Sequence, residues 1–161
     1  MFFICDDVTE KDFFKLEQLK RQIPTLKVNC FVMGKDAGNY LKQDWVEVGV
    51  HGWEHSYPPE CERSNQEEYI VRGLEALRKY LPKKIGFRAP GFQLTALTYP
   101  ILEKLGFYFI AHQYTIQRLD NLFKIITNHK LVNTHIYNGS LNKRLDGWVY
   151  ETFRFISEEL N

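Results

Sequence analysis

Two histidines four residues apart, His51 and His55, stand in the stretch VGVHGWEHSYP. That spacing alone suits a metal site or two polar residues on one turn of backbone. Three other places carry the residue types that decide between them: the double acid Asp6-Asp7, the run Arg88-Ala89-Pro90-Gly91, and His135. One carboxylate with two imidazoles is the kind of set that holds a catalytic Zn2+ with a fourth position open to water. Water in such a site ionises with a pKa of about 7. A second carboxylate can take that proton, and another imidazole can protonate a leaving group. The inventory suits metal-assisted hydrolysis of an amide or ester. Other chemistries lack their signatures. There is no GxxxxGK[ST] or GxGxxG phosphate loop and no GxSxG nucleophile elbow, and HGWEH has Gly52 where the HExxH zinc motif has glutamate.

These residues must be brought together by the elements that carry them. Short apolar runs alternate with helical patterns along the chain. FFIC (2–5), KVNCFVM (27–33), WVEVGV (45–50), KIGF (84–87), FYFIA (107–111), LFKII (122–126) and LVNTH (131–135) read as about seven strands. Asp12 to Gln22 reads as an amphipathic helix with Phe13, Leu16, Leu19 and Ile23 on one face. Residues 36–43 suit a short helix. Ser64 to Glu67 fits a capping box opening a helix to about Tyr80, with Tyr69, Leu74, Leu77 and Leu81 inward and Pro82 as its stop. Thr95 or Thr98 caps a helix ending near Gly106, and Asp146 to Leu160 reads as a closing helix. Alternating strands and helices imply an α/β protein with a mainly parallel sheet. Ligands of such folds bind at the carboxyl ends of the strands. Asp6-Asp7, His51, Arg88 and His135 each follow or end a strand, so all four fall on one rim.

Composition bounds the rest. The 161 residues are 44% hydrophobic, which suits one domain spanning 1–161. A net charge of +1 gives no field that would steer nucleic acid or an anionic membrane to the surface. Cys5, Cys30 and Cys61 are odd in number and widely spaced, which suits neither a disulfide framework nor a CxxC metal site. MFFICDDVTE has neither the basic start nor the cleavage site of a signal peptide, and no apolar stretch approaches the ~20 residues of a membrane span. A cytoplasmic location is the expectation.

The ordered set of motifs resembles the polysaccharide deacetylases, carbohydrate esterase family four. That family's [TS]-F-D-D-G, H-[ST]-x-x-H and R-x-P-[YFW/G] motifs and its late strand-ending histidine match Ile4-Cys5-Asp6-Asp7-Val8, His51 to His55, Arg88-Ala89-Pro90-Gly91 and His135. The resemblance implies a distorted, incomplete (β/α) barrel. It implies Asp7, His51 and His55 as metal ligands, Asp6 as general base, Arg88 as the partner that orients Asp6, and His135 as the acid. Pro90 and Gly91 would line the substrate groove, with Trp53 or Trp148 as a wall. The implied cofactor is a divalent metal ion, Zn2+ by default, though Co2+, Ni2+ and Fe2+ suit the same ligands. The implied substrate is an acetylated glycan or amino sugar, losing N-acetyl in preference to O-acetyl groups. Three positions depart from the pattern: Val8 stands for Gly, Gly52 for Ser or Thr, and Asn133 for Leu. The family's late Asp-x-x-Trp element has no equivalent near 110–115. Two other readings stay open: a non-catalytic carbohydrate-binding protein on this fold, and a metal-dependent hydrolase of a non-carbohydrate amide.

Overall fold

Parallel strands covered on both faces are apolar almost throughout, and the first two strands of this chain are built so. In the computed structural model, β1 (Phe2–Asp6) and β2 (Val28–Val32) are buried at every position. The structure describes residues 1–55, 63–120, 125–126, 131–135 and 151–160, the side chains of 63, 64, 125, 126 and 135 excepted. β3 (Val46–Val50), β4 (Gly86–Phe87), β5 (Phe109–Ala111), β6 (Ile116–Arg118), β7 (Ile125–Ile126) and β8 (Leu131–His135) complete one sheet. Its order is β7-β6-β5-β4-β3-β2-β1-β8. β8 and β1 to β5 run parallel, whereas β6 and β7 are added antiparallel at one edge. The sheet curls into an incomplete barrel, and no pairing of β7 with β8 closes it among the described residues.

Successive strand residues face opposite sides, and the two sides have different covers. Phe3, Cys5, Val28, Cys30, Val32, Val48 and Val50 pack under the helices with Phe13, Leu16, Leu19, Ile70, Leu74 and Leu77. Phe2, Ile4, Phe31, Phe109, Ala111 and Ile116 form the other cluster, joined by Ile156 and Leu160. Helix α1 (Glu10–Gln22) starts where Thr9 Oγ1 accepts from Asp12 N–H, and it buries Phe13, Leu16 and Leu19 at the expected spacing. α2 (Arg63–Leu77) lays Tyr69, Ile70, Leu74 and Leu77 inward. α3 (Thr98–Lys104) ends before Gly106, which takes φ +78° and so needs a residue without Cβ strain. None of the described helices is long and apolar enough to cross a membrane.

The expected sheet of about seven strands is there, and among the described residues the short β6 brings the count to eight. β6 was hidden because it is short and polar, with Ile116 as its one buried position, in a hairpin closed by His112 N–H on Thr115 O. Three local expectations are corrected. The short helix at 36–43 is two 3-10 turns, Gly34–Asp36 and Asn39–Leu41. α2 begins at Arg63, ahead of the expected cap at Ser64, and it passes into a 3-10 turn over Arg78–Tyr80. The closing helix shrinks, in its described part, to α4 (Ile156–Glu159). Residues 151–155 form no helix because they pair with the start of the chain. Arg154 N–H donates to Met1 O, and the Met1 ammonium donates to Thr152 O.

Candidate metal centre

Five adjacent parallel strands end at the same rim. β1 runs into Asp7, β3 into His51, β4 into Arg88, and β8 ends at His135, whose backbone register is opposite Asp6. His51 N–H bonds Val32 O at 2.9 Å and Arg88 N–H bonds Val50 O at 3.0 Å, so the sheet ladder itself fixes where these residues leave it. In a continuing strand Asp6 and Asp7 would point to opposite faces. Instead the chain turns at Asp7, which adopts φ +55°. Asp tolerates this left-handed region better than most residues. The turn lets both carboxylates serve one rim. Val8, one residue later, has ordinary φ and is fully buried, so replacing Gly there costs the fold no strain.

Asp7, His51 and His55 offer one carboxylate oxygen and two imidazole nitrogens that all lie within 4.8 Å of one another. Asp7 Oδ1 stands 3.5 Å from His51 Nε2 and 3.8 Å from His55 Nε2, and the two rings are 5.6 Å apart. His51 Nδ1 meets Arg88 O at 2.8 Å. A carbonyl only accepts, so Nδ1 carries the proton, and in the neutral ring Nε2 keeps its lone pair. That Nε2 is buried and makes no hydrogen bond among the described residues. A buried nitrogen whose lone pair meets no donor is unusual, and here it points at Asp7 and His55. Burial grades across the set: His51 and Asp7 are buried, and the His55 side chain is 38% exposed. The donor set, the oriented tautomer and the one accessible side fit a divalent cation.

Beside this cluster lies a separate charged pair. Arg88, only 1% exposed, donates from Nε to Asp6 Oδ2 at 2.8 Å. Its other nitrogens donate to His112 O at 3.0 Å and to Asn133 Oδ1 at 3.1 Å. Burial presses the guanidinium's pKa down, and the Asp6 carboxylate pulls it back up. Breaking such a pair leaves one uncompensated buried charge. The ring of Phe92 lies 4.4 Å from the guanidinium carbon. Phe92 reaches it at φ +58°, directly after Gly91 at φ +58°. A bulky residue in that region is strained, and such strain gathers where geometry is functionally constrained. Arg88 thus connects the two halves: its carbonyl sets the His51 tautomer and its side chain holds Asp6.

The expected residues therefore fall as follows. Asp6, Asp7, His51, His55 and Arg88 come together. The backbone of His135 reaches the same rim, and Trp148 lies outside the described residues, as do Cys61 and His129. Pro90 is buried and Gly91 exposed in the turn after Arg88. Trp53 is half-buried, with Arg72 4.2 Å over its ring and Gly34 packed close against it. Glu54 is exposed. Three contributors escape sequence reasoning: Asn133 as an Arg88 partner, Phe92 as its cover, and Tyr69, whose hydroxyl donates to Glu54 O in the histidine loop. Phe92 had a signal, since it follows a Pro-Gly turn next to Arg88. Tyr69 had none beyond its inward helix position.

Comparison with known proteins addresses the fold and the family. No curated protein matches by sequence. Among solved structures, a chitin deacetylase from Colletotrichum lindemuthianum is 17% identical over 98% of this chain and 85% of its own, with a TM-score of 0.72. An acetyl xylan esterase from Clostridium thermocellum, solved with a cobalt ion, is 12% identical over 98% and 88%, at 0.70. A family 4 carbohydrate esterase pseudoenzyme from Bacillus anthracis is 13% identical over 99% of this chain and 64% of its own, at 0.72. At these identities the structures establish the shared fold. The family assignment rests on the polysaccharide deacetylase model, which matches residues 16–110. With that match over more than half its length, this chain belongs to the polysaccharide deacetylase family.

Proposed function

We propose that the protein is a divalent-metal-dependent hydrolase that removes acetyl groups, N-acetyl in preference to O-acetyl, from a carbohydrate. The observation that carries this reading is the buried His51 Nε2, directed with Asp7 and His55 at one point beside the ion-paired Asp6. A divalent cation held by Asp7, His51 and His55, Zn2+ by default, would acidify a water and polarise the acetyl carbonyl. Asp6 takes the proton of the attacking water, and Arg88 fixes the carboxylate that receives it. His135, brought by β8 to the register of Asp6, gives a proton to the departing nitrogen. An amine leaves an amide only once protonated, whereas an alkoxide leaves an ester more readily. An imidazole acid in that role favours the N-acetyl substrate. Pro90 and Gly91, in the turn after Arg88, would line the sugar groove, with Trp53 or Trp148 as a wall.

The test is acetate release from N-acetylated and O-acetylated oligosaccharides by the Zn2+-loaded protein. Release from the N-acetylated set supports the proposal. Glycan binding without release under any divalent metal would identify a non-catalytic binder of the same fold. Metal binding without action on either glycan set would point to a non-carbohydrate amide.

A further inference from the structure

Gly52 sits between the two histidines of the candidate centre, and two features forbid a side chain there. Its φ is +83°, and a Cβ at this position would collide with the hydroxyl of Tyr69. That hydroxyl donates to Glu54 O, the carbonyl just before His55. The other side of the loop is gripped too. Gly34 N–H donates to Gly52 O at 2.8 Å and Lys35 N–H to Trp53 O at 3.1 Å. Gly73, one helical turn after Tyr69 on α2, has no room for a Cβ because the Gly52 carbonyl is pressed against it. The segment from His51 to His55 is thus clamped between the 3-10 turn after β2 and α2. The Tyr69 phenol fills the space a side chain on residue 52 would take.

We infer that Tyr69 is a positioning residue for the centre, its hydroxyl setting the distance between His51 and His55 in a loop that has no hydroxyl of its own. This rests on the reading of Asp7, His51 and His55 as cation ligands. His51 is already fixed by the sheet ladder and by Arg88 O. His55 is partly exposed and lies four residues further along. Its placement depends on the loop, and the Tyr69 bond is made at the residue immediately before it.

Tyr69→Phe removes the hydroxyl and keeps the ring against the helix face. Zn2+ affinity of the variant, read by calorimetry, should fall by roughly 10-fold, the low end of what groups that orient ligands contribute. In the metal-free protein, hydrogen exchange at the Gly34 and Lys35 amides should speed up, because both donate to this loop, while the β1 and β2 amides keep their protection. Unchanged affinity together with unchanged exchange would overturn the inference, even if the thermal midpoint fell, since lost packing alone predicts that pattern. A wild-type protein that takes up no Zn2+ would instead overturn the metal reading, and with it the purpose of the brace. The exchange at Gly34 and Lys35 would then still report whether the brace exists.

Discussion

The two ends of the barrel both bury polar side chains, and they treat them in opposite ways. At the amino end of the strands the polar groups close on one another. Asn29 donates to Phe3 O and Arg154 O and accepts from Ile156 N–H. Glu47, its neighbour on β3, accepts from Ser157 through both backbone N–H and hydroxyl, and Lys84 donates to Ser157 O and Leu160 O. The C-terminal segment is thereby sewn across the barrel floor. At the carboxyl end the polar groups converge instead. His51 Nε2 stays without a hydrogen bond among the described residues, Asp7 carries a left-handed φ, and Phe92 is held in a strained one. A satisfied network rigidifies, whereas a convergent one with strain is what a binding site requires.

If that contrast is right, substitutions at the two ends should affect different measurements. The largest effect is expected for Asp6→Asn: acetate release should fall by about 10²- to 10⁴-fold, the usual worth of a general base, while bound metal is retained. Full activity in that variant would refute the assigned roles. Next comes Arg88→Leu, which strands Asp6 in the interior. Denaturant unfolding should show a loss of about 3–5 kcal/mol. A loss below ~1 kcal/mol, the worth of an exposed pair, would mean that the pair is not buried in solution.

On the floor, Asn29→Ala should cost about 1–3 kcal/mol of stability, because it orphans Ile156 N–H and two carbonyls. Its metal affinity should stay at the wild-type value. A drop in affinity would show that the two ends are coupled. The smallest effect concerns Glu47. Burial raises its pKa, with the Ser157 bonds opposing. The folded state therefore holds the Glu47 proton to higher pH than the unfolded chain does. This contribution is fully present below the unfolded pKa and is lost as pH rises through the folded one. Glu47→Gln should flatten that part of the stability-against-pH curve, read by thermal melts from pH 4 upward, without moving the pH dependence of acetate release.

The rim was far more legible in the sequence than the floor. Asp6-Asp7, His51 and Arg88 each interrupt or end an apolar run, and the rule that α/β sites lie at strand ends converts those interruptions into a shared location. The floor is made by long-range partners. Nothing in the local pattern near Asn29 announces that it will bond Arg154 and Ile156 more than a hundred residues away. The part of the expected closing helix at 151–155 failed for the same reason, because pairing with Met1 overrides the local pattern there. Within the site, Tyr69 was visible only as an inward position of α2. That its hydroxyl reaches the histidine loop follows from the close contact of Gly73 with Gly52, which only packing reveals.

The central claim is that the carboxyl end of the barrel is a cation centre made by Asp7, His51 and His55. Its most direct test is the metal content of protein equilibrated with Zn2+ and dialysed, in wild type, Asp7→Ala and His51→Ala. The account predicts one ion per wild-type chain and none in either variant, with all three remaining folded. Wild-type protein without metal, or variants that hold as much as wild type, would contradict it.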